Sequence, residues 1–337
     1  MRLFEPYISG LDIKNVTQTL TDGALGFGEN VTVFEQEYQQ FSKKKFNIAT
    51  NSASAAAYMI FAYLYEKYGQ CDVYTPTLGF TSPCWAALKN GHRLFFVDID
   101  DNLLFCSNSY QKIRKSHNKG LQTVVMPILY GGVSQLPDLK LEGDEITVID
   151  AAHCPHPNVE SDFLFFSFHS LKPICMSDGG LIACDSHEAN EYLQMYRNFG
   201  RLQQGLSYDI VQDGFKFYMN NLNAALGLSQ LEGYEERRLS RKVKFEKLLN
   251  SFNNILLPHD ENSSYFFATL IHDKSYKIVE ELKIPVHYPL LHKMKFYASV
   301  DNLSFSETKH KSIANIPLHH NVDISSLESD IYKHISV

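Results

Sequence analysis

Phe163-Leu-Phe-Phe-Ser-Phe-His-Ser-Leu-Lys172, followed by Ser177-Asp-Gly-Gly-Leu-Ile182, sets one lysine between two uninterrupted apolar runs. Short continuous apolar runs bounded by turn residues read as strands buried on both faces. The pattern recurs upstream in Asp72-Val-Tyr-Thr75, Arg93-Leu-Phe-Phe-Val-Asp98, Thr123-Val-Val-Met-Pro127 and Thr147-Val-Ile-Asp150, and it ends at Gly180 to Cys184. Helical or polar segments separate the runs. That alternation predicts an α/β large domain on a mainly parallel central sheet. In such sheets the chemistry lies just beyond the carboxyl ends of the strands, so Asp150, His153, Ser167 and Lys172 are the first candidates.

Working outward, Leu11 to Leu20 and Val31 to Phe41 space their apolar residues three and four apart, as amphipathic helices do, and Gly23, Gly26 and Gly28 separate them. Ser54 to Tyr68 is a further helix, rich in alanine and aromatic residues. Leu222 to Leu249 reads as one long helix. Beyond it come a strand-like Tyr265-Phe-Phe-Ala-Thr-Leu-Ile271, a helix near Tyr276 to Leu282, and prolines at 285, 289 and 317 that break longer elements. A chain of 337 residues exceeds what one core usually supports. The expected division is a large domain over 1–235, with an N-terminal helical segment, and a smaller C-terminal α+β domain over 236–337.

Apolar residues make up 44% and charged residues 20%, the balance of a globular protein. A net charge of −7, with no Lys/Arg run longer than Lys43-Lys-Lys45, argues against nucleic acid as a partner. The N-terminus carries charges and a proline where a signal peptide needs its apolar run, and no stretch is apolar enough to span a bilayer. These features predict a cytoplasmic protein without a membrane partner. The six cysteines are dispersed with no C-x-x-C pair, as buried apolar residues in a reducing compartment are. His153, Cys154 and His156 lack a second half at zinc spacing, so no metal is expected. Gly26-Phe-Gly28 follows a helical segment and lacks a third glycine, which removes the context a dinucleotide fingerprint needs.

Taken alone, Asp150 is a strand-end cap and Lys172 a side chain that snorkels to solvent. The alternative for Lys172 is partial burial that lowers its pKa and yields an amine able to form an imine at neutral pH. Together the residues resemble the DegT/DnrJ/EryC1/StrS family of nucleotide-sugar aminotransferases, which depend on pyridoxal 5′-phosphate (PLP). The family's D-x-A-[QH], S-F-x-x-x-K and G-G stand here, in order, as Asp150-Ala-Ala-His153, Ser167-Phe-His-Ser-Leu-Lys172 and Gly179-Gly180. Asn51-Ser-Ala-Ser-Ala-Ala56, Pro76-Thr-Leu-Gly-Phe80, Phe96-Val-Asp-Ile-Asp100, Leu129-Tyr-Gly131, Arg197-Asn-Phe-Gly-Arg201 and the segment from Gly214 to Leu231 agree as well.

The resemblance implies a fold-type I homodimer with a shared active site, moving an amino group from glutamate to a nucleotide-linked keto-deoxy sugar (4-keto-6-deoxy or 3-keto). Polysaccharide pathways such as O-antigen, or secondary-metabolite sugars, are the implied setting. It makes Lys172 the Schiff-base lysine and Asp150 the anion at the pyridine nitrogen. His153 lies near the phenolic oxygen, and Phe80 stacks on the ring. Ala53, Ser54 and Ser167 hold the phosphate, and Lys216 reaches it from the other subunit. His287, Tyr288 and His292 are the substrate-side candidates. The chain departs from the family at Ala53, where glycine is usual, at Ile149, where glutamate often stands, and at Lys216 and Tyr218, where many members have Asn and Arg. Two other functions share this pattern: a PLP-dependent sugar dehydratase, whose members commonly carry His at the place of Lys172, and a ligand-sensing regulator without catalysis.

Overall fold

The computed structural model describes residues 1–116, 120–284, 288–297 and 302–335. In chain order the elements begin with α1 (Gly10–Asp22), α2 (Glu29–Glu37), α3 (Gln39–Ser42), β1 (Phe46–Thr50), α4 (Ala53–Tyr68), β2 (Cys71–Pro76), α5 (Thr81–Lys89), β3 (Arg93–Val97) and α6 (Ser107–Lys115). β4 (Gln122–Val125), β5 (Ile146–Asp150), β6 (Phe163–Ser167), β7 (Gly180–Cys184), α7 (His187–Tyr196), β8 (Arg201–Gln204) and β9 (Ser207–Ile210) follow. The chain continues through α8 (Asn221–Glu232), α9 (Tyr234–Phe252), β10 (Phe267–Ile271), α10 (Ser275–Leu282), α11 (Ser304–His310), β11 (Ile313–Pro317) and α12 (Ile324–Ile335).

Seven strands form the central sheet in the order β1-β7-β6-β5-β4-β2-β3. Pairing is parallel from β3 through to β6, and antiparallel where β7 meets β6 and β1. The apolar runs form buried strands because helices cover both faces. One face packs Ile48, Val73, Val148, Phe165 and Ile182 against α4, and the other packs Ala49, Ile149, Leu164 and Leu181 against Val31 and Phe34 of α2. β10 and β11 form a separate two-stranded sheet whose core takes in α9, α10 and α12, and also Leu3, Leu78 and Ile99. A division between residues 235 and 236 falls in the first turn of α9.

One expectation is corrected. The long helix foreseen from Leu222 to Leu249 is two helices meeting at Gly233, whose N–H closes α8 on the Ser229 carbonyl. The nearest atom a Cβ there would meet is Nη1, at the flexible end of Arg237, so the junction is set by the backbone and not by a lack of room. β1, β8, β9 and β11 have no counterpart among the strands expected from the sequence. Among the described residues, no helix is long and apolar enough to cross a membrane.

Candidate active site

α4 starts immediately after β1. The Ser52 hydroxyl caps it by accepting the Ala55 N–H at 3.1 Å, which leaves the N–H groups of Ala53 and Ser54 pointing out of the helix. Such a helix start favours an anion. β7 fits closely against it: a Cβ on Gly180 would lie 2.4 Å from the Ser52 carbonyl carbon and 2.5 Å from the Ala53 nitrogen. Glycine is therefore needed there for close approach, not for a turn. Gly180 pairs in register with Ser167, which brings the Ser167 hydroxyl beside the same helix start.

Between β6 and β7 the chain makes an excursion held by its own backbone bonds, Phe168 N–H to the Gly179 carbonyl and Ser170 N–H to that of Ser177. Ser177 takes a positive φ of 67°, and the Lys172 N–H closes a turn on His169. Lys172 projects from that turn into a cavity of about 350 Å³ lined among others by Ser52, Ala53, Ser54, Phe80, Asp150, Ser167, Phe266 and Tyr288. The lysine as a whole is only half-buried, because the cavity opens onto it. Its amine is nonetheless densely surrounded. Desolvation brings its pKa down to about 8, with Asp150 opposing the shift. Lys172 Nζ also lies 5.2 Å from the centre of the Phe266 ring.

Asp150 ends β5, is 5% exposed, and accepts the Ala152 N–H at 2.9 Å. Burial pushes its carboxyl up to about 6, against the Ala152 N–H and the Lys172 charge, which lower it. His153 follows in the turn. Its Nε2 is 2.8 Å from the Tyr288 hydroxyl, and the two rings stack at 5.6 Å with planes 3° apart. Phe80 precedes α5, half-exposed at the cavity wall and 6.1 Å from Tyr288.

The other candidates separate by place. Lys216 is exposed, outside the cavity lining of its own chain, and its carbonyl accepts from Asn51 Nδ2 beside the α4 start. His292 is buried away from the cavity, with Nδ1 2.5 Å from Thr77 Oγ1 and Nε2 3.3 Å from Glu307. It ties the C-terminal part to the end of β2. His287 lies outside the described residues. Phe4 and Phe266 were missed from the sequence. They stack face to face at 4.3 Å and line the cavity. Tyr265, at a positive φ of 51°, turns the chain immediately before Phe266. Phe266 within a strand-like run and Phe4 in an N-terminal segment without periodicity carry no signal that distinguishes a site wall from core.

An anion cradle, a buried carboxylate and a partly desolvated amine thus share one cavity, and these are the groups that a phosphorylated aldehyde on a pyridine ring requires. The residues fit PLP. Bound there, it supplies an aldehyde for amino groups and a ring that withdraws electrons when an α-proton leaves.

Among curated proteins, a UDP-4-amino-4,6-dideoxy-N-acetyl-beta-L-altrosamine transaminase of Campylobacter jejuni is 24% identical over 93% of this chain and 91% of its own. The spore coat polysaccharide biosynthesis protein SpsC of Bacillus subtilis is 28% identical over 74% of this chain and 68% of its own. Helicobacter pylori PseC, an aminotransferase involved in the biosynthesis of pseudoaminic acid, has a solved structure similar in fold, with a TM-score of 0.88 at 20% identity, covering 99% of this chain and 98% of that one. The model of the DegT/DnrJ/EryC1/StrS aminotransferase family matches residues 6–329. The chain belongs to that family and is a PLP-dependent sugar aminotransferase.

Proposed function

We propose that the enzyme moves an amino group from glutamate to the ketone of a nucleotide-linked 4-keto-6-deoxy sugar, in two half-reactions at one site. The observation that carries this reading is the meeting of Lys172, Asp150 and the α4 start in one cavity. Lys172 would hold the cofactor covalently, and once an amino donor displaced it, its free Nζ would take and return the donor's α-proton. A pKa near 8 leaves a useful fraction of the amine neutral at physiological pH. Asp150 would pair with the protonated ring nitrogen. His153 would orient the phenolic oxygen, Phe80 would cover one ring face, and the Ala53 and Ser54 N–H groups would hold the phosphate with the Ser54 and Ser167 hydroxyls.

The Campylobacter relative acts on a UDP-linked 4-amino-4,6-dideoxy sugar, which supports a UDP sugar and amination at C4. The Bacillus relative supports a place in polysaccharide synthesis. A homodimer is part of the proposal. Leu202, Leu206, Tyr208 and Ile210 leave the β8–β9 hairpin strongly apolar and exposed, as a surface covered by a second copy is. Lys216 of the partner subunit then reaches the phosphate. Tyr288 faces the substrate side of the cavity.

The test joins two measurements on purified enzyme. Borohydride reduction with PLP followed by peptide mapping should label Lys172, and glutamate with UDP-linked 4-keto-6-deoxy sugars should give an amino sugar by mass spectrometry. A label on another residue, or no amino sugar from any nucleotide-linked ketone, would overturn the reading.

A further inference from the structure

A second cavity, about 410 Å³, meets the first at Lys172, and its walls are chemically different. Arg237 and Arg241 line it, four residues apart on one face of α9, with His319 and His320 from the loop after β11. At that spacing two like charges repel and destabilise the helix unless something neutralises them. Among the described residues neither guanidinium has a carboxylate partner. Arg237 gives one N–H to the Gln230 carbonyl and lies over the Tyr7 ring at 5.8 Å, while its buried Nε has no hydrogen-bond partner. Arg241 gives Nε–H to the Ser264 carbonyl at 2.9 Å, and its buried Nη2 has none. The acids nearby compensate only in part. Glu232 and Glu236 are exposed, Glu5 accepts from Asn321 Nδ2 at 2.6 Å and lies 3.8 Å from His319, and buried Asp12 acts on Arg237 from a distance while its oxygens accept from Ser9, Ser229 and Gln230. Unmade charge-assisted bonds on buried guanidiniums are costly, so a cavity that keeps them is shaped for an anion from outside.

We infer that Arg237 and Arg241 form the subsite for the diphosphate of the sugar acceptor and so determine specificity for the second half-reaction. The inference rests on the proposed acceptor and adds the residues that bind it. Two forked cations one helical turn apart, about 6 Å, match two linked phosphoryl groups better than one carboxylate. The donor carboxylate is the rival source of negative charge, and the test separates the two.

Holoenzyme is titrated calorimetrically with inorganic pyrophosphate and with UDP, as wild type, Arg237→Met, Arg241→Met and Arg237→Lys, each checked for unchanged thermal unfolding. Each Met variant should bind pyrophosphate roughly tenfold to a hundredfold more weakly, with Arg237→Lys in between. In single-turnover spectroscopy the loss should fall at least about tenfold more on the acceptor half-reaction than on the glutamate half-reaction. Wild type that binds no pyrophosphate, or Met variants that bind it equally well, would overturn the subsite while leaving the transamination reading intact. A loss confined to the glutamate half would assign the arginines to the donor carboxylate instead and equally end the inference. Pyrophosphate bound through both arginines by an enzyme that aminates no nucleotide sugar would uphold the anion subsite and sink the acceptor.

Discussion

The two cavities that meet at Lys172 treat charge in opposite ways. In the cofactor cavity, desolvation acts on a cation and an anion of the same chain: Lys172 falls to about 8, Asp150 rises to about 6, and each partly restores the other. In the second cavity, desolvation brings Arg241 down to about 10, with the neighbouring Arg237 pushing in the same direction and Tyr234 opposing, and among the described residues neither arginine has a carboxylate within ion-pair reach. Arg241 is still charged at neutral pH. The first cavity therefore sets a counter-charge against its cation, whereas the carboxylates around the second, Glu5, Glu232, Glu236 and Asp12, leave its two guanidiniums without a direct partner. Phe4, Leu171 and Phe266 line both, so one aromatic wall separates a balanced site from an unbalanced one.

The largest expected effect removes the residue the cavities share. Lys172→Ala should lower turnover by about 10⁴-fold, since both the covalent link and the proton-moving group are lost. Cofactor held by the α4 start should still bind without borohydride labelling. Stopped-flow absorbance with glutamate reads this directly, and normal turnover in the variant would break the assignment of Lys172.

Asp150→Asn tests the balance within the first cavity and should push two measurements in opposite directions. The Asp150 charge raises the Lys172 pKa, so removing it should move that pKa below about 8. At pH 7 the amine is then more often neutral, and apo-protein should take up PLP covalently faster than wild type. Turnover should fall about 10²-fold, because the ring nitrogen loses its anionic partner. Rates of covalent uptake measured across pH 6–9 show whether the profile moves to lower pH. A shift upward, or none, would mean that Asp150 does not govern the amine.

What the sequence made legible follows the same division. β5, β6 and β7 stood out because strands buried on both faces need unbroken apolar runs, and Asp150, Ser167 and Lys172 sit at fixed offsets from their ends. β1 escaped notice: Phe46-Asn-Ile-Ala-Thr50 mixes polar and apolar residues, as a strand at the sheet edge is free to do. The unbroken helical pattern over α8 and α9 hid the break at Gly233, since the periodicity continues on either side and a lone glycine within it is not a certain stop. The second cavity was invisible for a different reason. Tyr7, Arg237 and His319 come from three distant segments, and only the packing of the N-terminal segment before α1 against α9 and the loop after β11 brings them together. His292 shows the reverse error, because a histidine near a substrate-like segment is here bonded between Thr77 and Glu307 to join two parts of the fold.

The smallest effect concerns how the C-terminal part reaches back into the first cavity. Burial holds the Tyr288 phenol well above its ordinary pKa, so it stays protonated through the working range and can donate to His153 Nε2. Tyr288→Phe keeps the ring that stacks on His153 and removes only that bond, a net change of about 1 kcal/mol, or roughly fivefold in a rate that depends on it. If His153 orients the cofactor, both half-reactions should slow by this factor, and the pH at which the bound cofactor's visible absorbance titrates should move. A Tyr288 that only fills space would lower thermal stability and leave the absorbance titration where it was. That spectroscopic midpoint, measured beside unfolding, decides whether Tyr288 belongs to the balanced cavity's electrostatics or only to its wall.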